Sequence, residues 1–172
     1  MDEFFDIVNI TDEVIGRASR FETHEKRYFH RAIHVFVRKD EKTWFLQRRS
    51  ARKDLDPLLW TTTCSGHVDA GESYLLAAMR ECEEELGLNL VEDSFLELLR
   101  LSPCVETGNE FVRVYAISEY HSSIRANKDE IMEIGEYNLR KISKLIEKNP
   151  EMFSKSFLHV FKLLESRLLK IQ

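Results

Sequence analysis

The chain predicts an α/β (α+β) fold, a mixed sheet in an α/β/α sandwich, on three observations. Short strand-like runs fill residues 1–64 and return between 95 and 137. One helical stripe interrupts them after Ser73, and the last third turns helical around Pro150. Strands on both sides of a central helix, closed by further helices, suit a layered domain with one core. At 172 residues the length fits a single domain over 1–172, divided into an N-terminal hairpin extension (1–30), a core (31–138) and C-terminal helices (139–172).

The elements follow in order. Phe5–Ile10 and Glu13–Arg20 read as strands meeting at the polar Thr11-Asp12 turn, an N-terminal β-hairpin. Ala32–Arg38 and Thr43–Gln47, parted by Lys39-Asp40-Glu41-Lys42, read as a second hairpin. Arg48–Leu59 is basic and irregular, and Pro57 disfavours helix at Asp56, so a loop is expected there. Trp60–Cys64 is threonine-rich and strand-like. From Ser73 the period changes: Leu75, Met79, Cys82 and Leu86 make one helical stripe, with Ser73 as N-cap and Gly87 at the C-terminus. Phe95–Leu101, Phe111–Ser118 and Ile131–Tyr137 read as strands. Helices are expected over Leu139–Glu147 and Met152–Ile171, the second with an apolar face of Phe153, Phe157, Val160, Leu163 and Leu164 that is core or homodimer surface.

Composition narrows the chemistry. Hydrophobic residues at 43% and charged residues at 32% exclude a disordered or membrane chain. No apolar run reaches the length of a membrane span, and the Met1-Asp2-Glu3 start lacks the positive charge of a signal peptide, so the expected location is cytoplasmic. Cys64, Cys82 and Cys104 are odd in number and scattered, which fits reduced thiols and neither a disulfide framework nor a Cys-x-x-Cys zinc site; Cys104 carries no signal. A net charge of −5 argues against a nucleic-acid partner and favours a divalent cation.

The chemistry concentrates on the central helix. Glu81, Glu84 and Glu85 stand at i, i+3 and i+4, so three carboxylates share one face. Such like-charge pairs cost a bare helix a few tenths of a kcal/mol each, and a cation should compensate. A hard ion such as Mg²⁺ or Mn²⁺ wants oxygen ligands and shares them readily with substrate phosphates. Arg80, one turn before Glu84, can pair with the cluster and fix its orientation. Gly66 and Gly71 are expected to let the backbone turn tightly before the helix, with the Ser65 carbonyl a further oxygen ligand.

Read from Gly66, the chain gives Gly66, Glu72, Arg80-Glu81-Cys82-Glu83-Glu84-Glu85-Leu86-Gly87-Leu88. This spacing resembles the Nudix box, Gly-x5-Glu-x7-Arg-Glu-U-x-Glu-Glu-x-Gly-U with U bulky and aliphatic. All seven fixed positions match, and Cys82 replaces the first U with a small hydrophobe. At about one chance in fifteen per position, such a match would arise at random roughly once in a million chains. The resemblance implies a metal-dependent pyrophosphohydrolase with a small-molecule diphosphate substrate, a nucleoside diphosphate linked to a further group. Glu81, Glu84 and Glu85 would hold Mg²⁺ or Mn²⁺, with the Ser65 carbonyl and Glu110 completing the shell, and Gly66, Glu72 and Gly87 would be structural.

Asp6–Asn9, Asp12–Gly16, Leu46–Ser50 and Trp60-Thr61 with Gly66-His67 resemble the branch that includes isopentenyl-diphosphate isomerases and their hydrolase relatives. Isomerisation is therefore a rival activity, and a non-catalytic diphosphate-binding module a second one. Aligning Gly66-His67 puts Ser65, not Cys64, at the isomerases' cysteine position, and Gly108 stands where one of their two late-strand glutamates would be. His30 and His67 correspond to their His-rich metal site, whereas His24 is out of step. Ser65, Gly108 and the full run of box glutamates favour the hydrolase. For the substrate, Arg48 or Arg49 can grip phosphate oxygens, at most one facing the cleft because strand side chains alternate, with His67 a further candidate. Glu110 or Glu106 is the candidate late carboxylate, and Trp60 and Phe29 read as core aromatics rather than stacking platforms.

Overall fold

A computed structural model describes residues 3–118, 120 and 123–171; the ends of the expected 1–30 and 139–172 segments, Met1, Asp2 and Gln172, lie outside it. Strands β1 (Phe4–Val8) and β2 (Val14–Ser19) pair antiparallel as the expected hairpin. Its turn is set by Asn9, whose Oδ1 accepts from the amides of Thr11 at 2.9 Å and Glu13 at 3.0 Å, while Asp12 takes a φ of +63°. A short helix, α1 (Arg20–Glu25), follows, capped by Ser19, and was not expected from the sequence.

Strands β3 (His30–Val37), β4 (Thr43–Arg49), β5 (Trp60–Thr61) and β6 (Cys64–His67) precede α2 (Tyr74–Leu86). Then come β7 (Phe95–Leu101), β8 (Glu110–Ile117), β9 (Ile131–Asn138), α3 (Leu139–Lys148) and α4 (Lys155–Leu168). One sheet has the order β6-β3-β8-β7, mixed because β3 and β8 run parallel; another has the order β5-β4-β9 and is antiparallel.

The second hairpin is thereby corrected. β3 and β4 share no ladder, being joined by an isolated Arg38–Trp44 bridge beyond the end of β3, and enter different sheets. The reason is burial on both faces of β3: Ile33, Val35 and Val37 pack toward α2, and Ala32 and Phe36 toward α3 and α4. A strand so buried takes the middle of a sheet, between β6 and β8. The Trp60–Cys64 run likewise splits, β5 pairing with β4 and β6 with β3.

α2 is capped as its sequence demands, Ser73 Oγ accepting from the Leu76 amide and Gly87 closing the helix at φ +67°. Its buried face corrects the expected stripe. Tyr74, Ala77, Ala78, Cys82, Glu85 and Leu86 are buried, and Leu75 and Met79 are only half-buried, because the two alanines let the helix lie close on β3 and β6. α4 is shorter than expected at its start, where Pro150–Met152 forms a 3-10 turn, and Leu163 is exposed while Phe161 and Leu168 join Phe157, Val160 and Leu164 in the core. Among the described residues no helix is long and apolar enough to cross a membrane.

Candidate active site

A cleft of about 580 Å³ opens where β3, β6, α2 and the start of α4 converge. Glu81, Glu84 and Glu85 all line it, as do Ser65, Gly66, His67 and Glu110. The three box glutamates differ in depth. Glu85 is 4% exposed and accepts from Gln47 Nε2 at 3.1 Å, Glu81 is half-buried, and Glu84 is largely exposed.

Arg80 organises this side of the cleft. It donates to Glu72 from Nε (3.1 Å) and NH2 (2.9 Å), to Glu81 at 2.7 Å and to the His67 carbonyl at 3.0 Å, and reaches Glu84 at 3.3 Å. Glu72 in turn accepts from the Asp69 amide at 3.2 Å, which ties the approach loop to the helix. Arg80 thus compensates two of the three clustered carboxylates, Glu81 and Glu84, and the box Glu72 anchors it. Arg80→Lys should lower turnover by about ten- to a hundredfold and raise the metal concentration needed, because a single ammonium cannot span these partners. Steady-state rates against Mg²⁺ concentration measure this.

Gly66 does a different job from the tight turn expected of it. Its φ is not positive, but a Cβ there would lie 2.2 Å from Glu81 Cδ and Oε1. The glycine makes room for the carboxylate. Gly71, at φ +83°, does supply the turn, and its amide donates to Asp6 Oδ2 at 2.9 Å, docking the N-terminal hairpin onto the approach loop.

The electrostatics of Glu81 and Glu85 fit a cation. Burial, and then the Glu85 charge, push Glu81 up to about 8, and burial pushes Glu85 up to about 7. Between pH 6.5 and 8 the folded metal-free protein therefore holds protons that the unfolded chain has released, so its stability should fall as pH rises through that window. A divalent ion needs the ionised carboxylates, so the stabilisation gained on adding Mg²⁺ should grow over the same range. Thermal melts at pH 6.5 and 8, with and without Mg²⁺, check both signs.

A second cluster lies at the other wall. His24 on α1, His30 on β3 and His67 on β6 bring ring nitrogens within 4.8 Å of one another. Glu110, the first residue of β8, approaches His67 Nε2 at 3.2 Å and His30 Nε2 at 3.6 Å. Burial would raise Glu110, but the His30 and His67 rings outweigh it and hold its carboxyl well below the usual range. His30 Nδ1 meets the Tyr28 carbonyl at 2.9 Å, which makes Nδ1 the donor and turns Nε2 inward. His24 Nε2 and His30 Nε2 are buried without a hydrogen-bond partner among the described residues, and burial lowers His24 to about 4. Phe5 stacks on His67 at 4.6 Å and on His30 at 5.7 Å, closing the cluster from above. Inward-facing imidazole nitrogens beside an ionised carboxylate suit a divalent metal.

His24 is thus not out of step: the unexpected α1 supplies the turn that brings it to His30. The remaining candidates divide. Arg49 lines the cleft, whereas Arg48 donates to the Leu58 carbonyl at 2.9 Å and is not among the lining residues. Glu106 is exposed and lies away from the cleft beside Cys104. Cys64 is fully buried, with its thiol pushed up by burial, while Ser65 faces the cleft. Thr61, Ser154, Ser156 and Asn127 also line the cleft and were not singled out in the sequence, since isolated hydroxyl and amide residues carry no motif.

The family model of the NUDIX domain matches residues 28–158. Nudix hydrolase 3 of Arabidopsis thaliana is 37% identical over 128 residues, 70% of this chain but only 17% of that protein. Isopentenyl-diphosphate Delta-isomerase 2 of Photorhabdus laumondii is 31% identical over 156 residues, covering 90% of this chain and 88% of that one. Among solved structures, DR0079 from Deinococcus radiodurans superposes with a TM-score of 0.73 at 27% identity, over 85% of this chain and 90% of that one. With the match spanning most of its length and every fixed box position in place, the chain belongs to the Nudix family of enzymes.

Proposed function

We propose that the protein hydrolyses a diphosphate linkage in a nucleoside diphosphate joined to a further group, using Mg²⁺ or Mn²⁺. The observation that carries this reading is the Glu81–Glu85 pair, two like-charged and largely desolvated carboxylates at the cleft floor with Gly66 cut back to admit one of them. Glu81, Glu84 and Glu85 would hold the ions, with the Ser65 carbonyl beside them and Glu110 across the cleft. Such ions neutralise the diphosphate and acidify a water molecule near neutral pH. Arg80 fixes the direction of Glu81. Glu81 and Glu110 are the two candidate proton acceptors: burial and the Glu85 charge raise Glu81 in the metal-free site, whereas the His30 and His67 rings hold Glu110 ionised. Arg49, with Lys53 and Arg20 at the mouth, offers cationic groups to phosphate oxygens.

A second reading has one observation in its favour: the His24, His30, His67 and Glu110 cluster resembles the His-rich metal site of the isomerase branch. Two residues count against isomerisation. Ser65 occupies the cysteine position, and a hydroxyl is a far weaker acid and nucleophile than a thiol. Gly108 stands in place of a carboxylate. A panel of nucleoside di- and triphosphates, dinucleotide polyphosphates, nucleotide sugars and isopentenyl diphosphate, assayed for phosphate or nucleotide release with Mg²⁺ and with chelator, tests the proposal. Mg²⁺-dependent release from a nucleotide supports hydrolysis; no release from any member of the panel would overturn it.

A further inference from the structure

Outside the residues that line the cleft, Cys104, Glu106 and His159 bring one sulfur, one oxygen and one nitrogen ligand atom within 4.8 Å of one another. Cys104 Sγ and His159 Nε2 stand 3.9 Å apart. A tetrahedral zinc with its usual bonds of about 2.3 Å to sulfur and about 2.0 Å to nitrogen would separate these atoms by roughly 3.6 Å, so small side-chain rotations suffice. Sulfur, imidazole and carboxylate are the donor set that zinc takes.

The positions are built rather than incidental. Thr107, 3% exposed, holds the loop: its Oγ1 accepts from the Cys104 amide at 3.3 Å, lies 3.4 Å from the Cys104 thiol and donates to the Glu110 carbonyl at 3.2 Å. The Asn109 amide closes the loop on the Cys104 carbonyl at 3.1 Å. His159 projects from α4, three residues after Ser156 of the cleft. Two independent elements, a preformed loop and a core helix, thus present soft and borderline ligands to one point.

We propose that Cys104, Glu106 and His159 form a zinc-type site, separate from both clusters of the cleft, that staples the β7–β8 loop to α4. Cys104 enters as the thiolate, its proton passing to solvent. Three protein ligands leave a fourth position for water. Because the loop leads into Glu110, the staple fixes the start of β8 and, through it, the carboxylate of the histidine cluster. The inference does not depend on the hydrolase reading.

The test uses the reduced, chelator-stripped full chain titrated with Co²⁺ as a spectroscopic substitute for Zn²⁺. Thiolate coordination gives a near-ultraviolet ligand-to-metal charge-transfer absorption that carboxylate and histidine ligands do not. Cys64 and Cys82 are fully buried in the core, so Cys104 is the thiol expected to report. The absorption should saturate, bleach on adding Zn²⁺ and vanish in Cys104→Ser. In His159→Gln it should need about tenfold more Co²⁺ or beyond. It should persist in His24→Gln, which alters only the histidine cluster. Far-ultraviolet dichroism establishes that each variant is folded, and His159→Gln decides the matter if Cys104→Ser is not. No charge-transfer absorption in the native chain, its survival in folded Cys104→Ser, or its indifference to His159→Gln would overturn the proposal.

Discussion

Glu85→Gln is expected to lower Mg²⁺-dependent turnover about a thousandfold, ~4 kcal/mol in the barrier, with no loss of thermal stability in metal-free buffer. Glutamine keeps the size of the side chain and an amide oxygen that can still accept from Gln47 Nε2, now 3.1 Å from Glu85 Oε2. It removes a charge whose burial is unfavourable, as the rise of Glu85 to about 7 reflects. The metal-free variant should therefore melt at or above the native temperature. The native chain should gain stability when Mg²⁺ is added, and the variant should gain little. Activity and melting must be measured together, since a fall in both would mean a damaged core. Normal turnover in the variant would remove Glu85 from the metal platform.

Gly66→Ala should have the second-largest effect. The new methyl would lie 2.2 Å from the Glu81 carboxylate, far inside any van der Waals contact, so Glu81 must swing away. That breaks its 2.7 Å bond from Arg80. Displacing a catalytic group by an ångström costs about a hundredfold in rate, and overpacking costs about 1–3 kcal/mol in stability. Gly16→Ala is the control. An added Cβ there meets nothing within 4 Å, on an exposed hairpin strand, so activity should be unchanged and stability should move by no more than about 0.5 kcal/mol. Rates and melts of both variants, side by side, separate a specific clash from a general dislike of losing glycine.

The legible parts of this chain are those whose physics is local. Ser73, Gly87 and the helical period define α2 to within a residue, and the Asn9–Glu13 segment closes its own hairpin through the Asn9 side chain. The partners of β3 were not legible, because the Lys39–Lys42 link can close a hairpin or cross between sheets with equal ease, and only the parallel pairing with β8, some eighty residues on, decides. The candidate site divides in the same way. Glu81, Glu84, Glu85 and Arg80 are spaced along one helix, so their convergence can be read off. Gly66 was visible by position but not by role, since the clash that excludes a side chain comes from a residue fifteen places away. His24 was misjudged because a six-residue helix has too little periodicity to be seen, and that helix sets its direction. Cys104 and His159 meet only through the packing of α4.

The most direct measurement is phosphorus and proton NMR of the native enzyme with Mg²⁺, following the nucleotide panel and isopentenyl diphosphate under identical conditions. Cleavage predicts that the diphosphate resonances of at least one nucleotide substrate are replaced by those of two separate phosphorus products, that chelator abolishes the change, and that isopentenyl diphosphate keeps its double bond in place. Conversion of isopentenyl diphosphate to its allylic isomer with both phosphorus atoms still joined, and no nucleotide cleaved, would contradict it.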